Sequence, residues 1–94
     1  MENINVLLLA LCFILDTADA FYPALKDTEE YTILDAYLEM RINNHELNID
    51  TKDIPFDVLL HMTLLRDYLK ILCAIYPNSN AIAALSIIDS IIKA

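Results

Sequence analysis

The residues best suited to catalysis or metal binding are two histidines, two cysteines and a set of carboxylates. Asp57 and His61 lie four residues apart, a spacing that brings two side chains to one helix face. A zinc site needs three or four converging ligands, so these two residues alone cannot form a zinc site. We therefore interpret Asp57 and His61 as a solvated ion pair, and we expect no metal and no cofactor.

The other catalytic combinations also fail on residue type or spacing. Cys12 and Cys73 each lie inside an apolar run, where burial raises a thiol pKa and suppresses its reactivity. Glu29 and Glu30 are adjacent, so their carboxylates point apart on a helix and cannot form an acid/base pair. The chain contains no glycine, which excludes a glycine-rich phosphate loop and a G-x-S-x-G nucleophile turn. The sequence predicts that the protein is not an enzyme.

An unbroken apolar run over residues 6–15 allows two interpretations of the N-terminus. Ala18 and Ala20 fit the small-residue cleavage pattern of a secretory signal, which would make the protein a secreted one of 74 residues. Residues 1–5, however, include an acid and no lysine or arginine, whereas signals usually begin with positive charge. We favour a retained core helix, buried on all sides, in a cytoplasmic protein.

The pattern of the whole chain predicts a small helical domain. Ninety-four residues suit one domain, and the absence of glycine with only three prolines removes most turn chemistry. Apolar residues recur at helical spacing. The predicted fold is an all-α, compact, four-helix bundle-like single domain over residues 1–94, with helices at about 4–20, 28–42, 54–76 and 80–93.

Capping residues give the helix boundaries. We expect Asp27 to begin the second helix, with Glu30 reciprocating the cap three residues later. The polar segment 43–52 reads as a loop, and Asp53 is the expected N-cap of the third helix, with Pro55 in its first turn. Residues 78–80 are predicted to supply the turn and cap before the fourth helix.

Charge indicates what kind of partner the protein would bind. The net charge is −8, and residues 26–57 hold nine acids against three bases. Such a field repels nucleic acid and favours a protein partner with a basic surface. The predicted function is therefore a small acidic module that acts by binding, as inhibitors, immunity proteins, adaptors and chaperones do. The predicted contact residues are Glu29, Tyr31, Asp35, Tyr37, Glu39, Glu46, Asp50 and Asp53.

Apolar content gives a second hypothesis of function. The hydrophobic fraction is 57%, above the roughly 45–50% of ordinary domains. A domain this small buries only about 60–65% of its chain surface, so apolar side chains should remain exposed unless something covers them. A homo-oligomer that buries the first or fourth helix against a copy of itself would explain the excess. The apolar runs are shorter than the roughly 20 residues that span a bilayer, so we expect no membrane partner.

Overall fold

The helical spacing of the apolar residues produces the predicted all-α bundle. The computed structural model describes residues 6–46 and 50–93, and no strand occurs in these ranges. The four helices are α1 (Val6–Phe21), α2 (Glu29–Asn43), α3 (Phe56–Ile75) and α4 (Ser79–Lys93). Short 3₁₀ helices, Pro23–Asp27 and Thr51–Asp53, lie in the first two connections. The predicted start of the first helix near residue 4 lies outside the described residues.

The helices form a square in which neighbours run antiparallel. α1 packs against α2 and α4, and α3 packs against the same two helices, so α1 and α3 are diagonal. The Tyr22 hydroxyl donates to the Tyr76 carbonyl at 2.7 Å, which joins the C-terminal ends of α1 and α3. Arg66, midway along α3, bonds Asp89 near the end of α4, as expected for an antiparallel hairpin with a short link. The bundle measures 40 × 24 × 24 Å.

All four helices contribute to one core. The largest fully buried side chains are Leu8, Ile14, Met62, Leu65, Leu69 and Ile88. In α4, Ala81 and Ala84 are fully buried, and such small side chains let neighbouring helices approach closely. Every buried side-chain nitrogen or oxygen among the described residues has a hydrogen-bond partner. This core carries the stability of the domain.

α1 is amphipathic, which corrects the expectation of a helix buried on all sides. Leu8, Leu11 and Leu15 point into the core, but Val6 and Leu9 are exposed. Asp16 and Asp19 are also exposed, on the last two turns. The apolar run therefore supplies one packed face and one face open to water.

The predicted cap of α2 is wrong by one residue. Asp27 ends a 3₁₀ helix that begins at Pro23, and Thr28 takes the cap position instead. The Thr28 hydroxyl oxygen accepts a hydrogen bond from the Tyr31 backbone N–H at 3.2 Å. Glu30 therefore lies in the first turn without the reciprocal bond to Asp27, although its charge still suits the positive end of the helix.

The predicted start of α3 is also shifted. Asp53 closes the second 3₁₀ helix by accepting from the Asp50 backbone N–H at 3.2 Å, and Pro55 takes the N-cap position of α3. Part of the predicted 43–52 loop thus forms this 3₁₀ helix, and residues 47–49 lie outside the described part of the chain. The cap before α4 is confirmed, because the Asn78 side-chain oxygen accepts from the backbone N–H groups of Asn80 and Ala81.

Candidate functional site

α3 carries apolar residues on two opposite faces. Its inner face, with Val58, Met62, Leu65 and Leu69, is buried in the core. Its other face holds six large apolar residues that are between 37% and 80% exposed. We call this set the outer stripe: Phe56, Leu60, Leu64, Tyr68, Ile71 and Ile75. An ordinary surface helix has one apolar face, so the second one requires an explanation.

The outer stripe is continuous along the whole helix. Its members are spaced three, four or seven residues apart, which keeps them on one side of α3. From Phe56 to Ile75 the stripe is about 28 Å long at the 1.5 Å rise of an α-helix. With about 200 Å² for a fully exposed aromatic side chain, and less for Leu and Ile, the six residues leave at most about 650 Å² open to water. The largest apolar patch on a typical monomer is about 300–600 Å², so this one is large for a chain of 94 residues.

Polar groups beside the stripe are mostly paired with one another. Arg66 donates from Nε and Nη2 to Asp67 and from Nη1 to Asp89, with N···O distances of 3.1–3.3 Å. The hydrogen bond to Asp67 is the largest of the effects that raise the Arg66 pKa. His61 Nδ1 donates to the Asp57 backbone carbonyl at 2.6 Å, so the predicted ion pair between the two side chains is replaced by a bond to the main chain.

The eight predicted contact residues do not share one surface role. Five are exposed: Glu29, Glu39, Glu46, Asp50 and Asp53. Tyr31 and Asp35 are half-buried. Tyr37 is only 6% exposed and belongs to the core, which corrects its prediction as a surface anchor. The other seven stay predicted contacts.

Tyr37 is held in place by Arg41, one helical turn later. The Arg41 Nε donates to the Tyr37 hydroxyl at 3.3 Å, and the guanidinium carbon lies 5.5 Å from the ring centroid. The same hydrogen bond is the main cause of the raised Arg41 pKa. Glu46 forms an ion pair with Arg41 from beyond the helix end. Two predicted contacts, Tyr37 and Glu46, therefore stabilise the C-terminal end of α2.

Asp50 and Asp53 have a local structural role. The Asp50 carboxylate accepts from the Lys52 backbone N–H, while Asp53 accepts from the Asp50 N–H, so each acid caps the same short 3₁₀ helix. The hydrogen bond from Lys52 is the main reason that the Asp50 pKa is lowered. Both side chains remain exposed.

The fold places Tyr31, one of the predicted contacts, near three acids. Burial raises the pKa of the Tyr31 hydroxyl, and Asp19, Asp35 and Asp16 raise it further. Asp16 and Asp19 come from α1 and were not among the predicted contacts. Their three-residue spacing could have indicated that they share one side of α1. The packing of the helices was needed to show that this side lies near α2. Lys26 forms an ion pair with Asp19 at 3.3 Å and offsets part of this charge.

The two cysteines and the possible metal ligands can be placed within the described residues. Cys12 and Cys73 are both free thiols. Burial and then the Asp16 charge raise the pKa of Cys12, so it is a weak nucleophile at neutral pH. Within residues 6–46 and 50–93, no three His, Cys, Asp or Glu side chains are grouped to hold a metal ion.

A second apolar surface is an open cleft of about 330 Å³ between the start of α1 and the end of α4. Val6, Ala10, Ile87 and Ile91 provide its apolar lining, and Thr51 lies at its edge. It lies between α1 and α4, and none of its lining residues belongs to α3.

Comparison of the chain with protein-family models, with curated proteins and with solved structures gives no match. None of the helices in the described part of the chain is long and apolar enough to cross a membrane.

Proposed function

We propose that this protein acts by binding another polypeptide chain, and that the outer stripe of α3 is its main contact surface. The observation that carries the proposal is the second apolar face of α3, whose six large apolar side chains stay between 37% and 80% exposed. Four-helix bundles need one apolar side per helix, and α3 already provides it through Val58, Met62, Leu65 and Leu69. The outer stripe is therefore surplus to folding.

The area of the stripe is large enough to drive association. About 650 Å² of apolar surface corresponds to about 16 kcal/mol of gross transfer free energy at about 25 cal/mol per Å². Association costs an estimated 4–15 kcal/mol in lost translational and rotational freedom, before side-chain ordering is counted. Burial of the stripe is therefore large enough to offset this cost, and the affinity reached depends on how well the contacts pack. Phe56 and Tyr68 are residue types enriched at the centres of interfaces, where most binding energy concentrates.

The acids that are predicted to attract a basic partner lie in a different part of the molecule from the outer stripe. Glu29, Asp35 and Glu39 lie on α2, whereas the outer stripe lies on α3. Electrostatic steering by these acids would act mainly on the association rate. The steering of a basic partner stays a prediction. Slower association of the Asp35→Lys, Glu39→Lys double variant with its partner would support it.

Site-specific photocrosslinking in the source organism tests the proposed function. A photoreactive phenylalanine analogue is placed at Phe56 or at Ile71, and matched control chains carry it at Glu39 of α2 or Val6 of α1. All four positions are exposed, so none of these changes disturbs the core. We expect discrete adducts of defined mass from the two α3 positions, and none of matching yield from the controls.

The mass of each adduct identifies the bound chain. The proposed function is wrong if the α3 positions give no discrete adduct in cells where the labelled protein is folded and abundant. It is also wrong if the control positions give the same adducts in equal yield, since the stripe would then have no special role.

A further inference from the structure

We infer that the outer stripe binds a second copy of this chain, with the two α3 helices packed antiparallel about a twofold axis. The inference rests on the proposed function, because it names the partner of the same surface. It follows from three properties of the molecule: the distribution of charge, the area of the stripe and the symmetry of its spacing.

The net charge of the protein is confined to the half that lacks the stripe. Residues 1–55 contain eleven acids and three bases, which gives −8. Residues 56–94 contain three acids and three bases, which gives zero. A partner selected for basic charge would be drawn to the first half, whereas the neutral α3–α4 half suits an equally neutral surface. A second copy supplies that surface.

Repulsion between the two acidic halves is weak in this arrangement. α1 lies diagonal to α3 in a bundle that is 24 Å across its short axes, so contact through α3 leaves α1 on the outer side of each copy. The Debye length is about 8 Å at physiological salt, so the α1 acids of the two copies are largely screened from each other. Asp67 is the charge closest to the middle of the stripe, and Arg66 of the same chain offsets it at 3.1 Å.

The area matches the size of a stable interface. Two stripes of about 650 Å² each bury about 1,300 Å² of apolar surface, above the roughly 1,000 Å² that a biological interface should exceed. Neighbouring polar atoms add to this total. Phe56, the most exposed member at 80%, gains the most from being covered.

The spacing of four of the six stripe residues is symmetric about one point of α3, whereas Leu64 and Tyr68 have Asp67 and Thr63 at their mirror positions. A twofold antiparallel contact pairs each residue with its mirror position along the partner helix. Phe56 and Ile75 lie at equal distances from the point between Leu65 and Arg66, and Leu60 and Ile71 lie symmetrically about the same point. An antiparallel pair therefore places Phe56 against Ile75 of the second copy and Leu60 against Ile71 of the second copy.

Sedimentation velocity of the purified full chain from 1 to 200 µM tests for the dimer. We expect a reversible monomer–dimer equilibrium. The Phe56→Ser, Ile71→Ser double variant should weaken it at least about tenfold, since two apolar anchors are lost. The matched control, Val6→Ser with Leu9→Ser, changes two similarly exposed residues of α1 and should leave the equilibrium unchanged. Circular dichroism confirms that each variant is folded.

Disulfide trapping tests the orientation without relying on loss of binding. In a Cys12→Ser background, a Phe56→Cys chain is mixed with an Ile75→Cys chain under mild oxidation. The antiparallel contact predicts a mixed disulfide between the two chains and little disulfide between two Phe56→Cys chains. A dominant disulfide between two Phe56→Cys chains would instead show a parallel contact and overturn the inference.

The outcomes separate this inference from the proposed function. A chain that stays monomeric at 200 µM, while the α3 crosslinks contain a different protein, overturns the second copy and leaves the binding surface in place. A monomer with no α3 crosslinks overturns both. A dimer that survives Phe56→Ser, Ile71→Ser but is lost in the α1 control overturns both the inference and the assignment of the stripe.

Discussion

Leu64 and Leu65 are adjacent in sequence and lie about 100° apart around α3, so Leu65 faces the core and Leu64 belongs to the outer stripe. Replacing each by alanine distinguishes the core from the stripe. Leu65 is 0% exposed and Leu64 is 37% exposed. Truncation of a fully buried leucine costs about 2–5 kcal/mol, because apolar contacts are lost and a cavity remains. At Leu64, which is partly open to water, the three carbons removed are only partly buried, so the cost should be about 1–1.5 kcal/mol.

The expected loss is a large part of the total stability. The free energy of unfolding of a chain of 94 residues should be about 5–14 kcal/mol, at about 0.05–0.15 kcal/mol per residue. A loss of about 3 kcal/mol from Leu65→Ala would lower the Tm by about 12–24 °C. Leu64→Ala should lower the Tm by about 4–12 °C.

Urea unfolding followed by circular dichroism measures both variants, at several protein concentrations. Dimer formation stabilises the folded chain by mass action, so the wild-type midpoint should rise with concentration. Leu65→Ala should keep this concentration dependence, and Leu64→Ala should reduce it. Equal losses of stability at the lowest concentration would refute the assignment of the two faces, because α3 would then pack in another rotation.

Three further predictions concern α1, the α2 cap and the contact between the ends of α1 and α3. A chain lacking residues 1–20 should show no cooperative unfolding transition. Burial of the four large core side chains of α1 contributes about 1.5–3 kcal/mol each, which together is similar to the whole free energy of unfolding. A sharp transition would contradict this. Thr28→Ala should cost about 1 kcal/mol in urea unfolding through loss of the α2 cap, whereas Thr32→Ala, an exposed control, should cost much less. Burial raises the Tyr22 pKa above its ordinary value, so this tyrosine contributes stability that is lost as pH rises above about 10. Tyr22→Phe should therefore lower stability at pH 7 by about 0.5–1.5 kcal/mol through the lost bond to Tyr76, yet make the decline above pH 10 shallower; an unchanged decline would contradict this.

The number and order of the helices were predictable from periodicity, because each helix places apolar residues three and four positions apart. The turn between α3 and α4 was predictable as well, since Pro77 and Asn78 disfavour helix continuation and favour a cap. The N-cap residue of α2 was not predictable from the sequence. Asp27 and Thr28 are both capping types, and the choice between them depends on the 3₁₀ helix that starts at Pro23.

The interaction surface was harder to locate because periodicity does not show which apolar face meets the core. On α3 the sequence indicates a wide apolar band, and Leu60, Leu64 and Ile75 could belong to either side of it. The neighbouring helices α2 and α4 decide the matter by covering one side only. For the same reason Tyr31 and Tyr37 read alike in the sequence, although packing leaves one beside the acids of α1 and puts the other in the core.

The separation of charge from the exposed apolar surface also determines how far association proceeds. An apolar face that met a different face of the next molecule would form an open chain of subunits, whereas a twofold contact uses the same face on both and closes after two. Once the α3 stripes are covered, the surface presented outward carries the −8 of residues 1–55 on each copy. Net charge of this size opposes further association and keeps the particle in solution. The acidic half thus opposes association beyond the dimer that forms through α3. In this dimer, two copies of the α2 carboxylates Glu29 and Glu39 remain available to a basic partner.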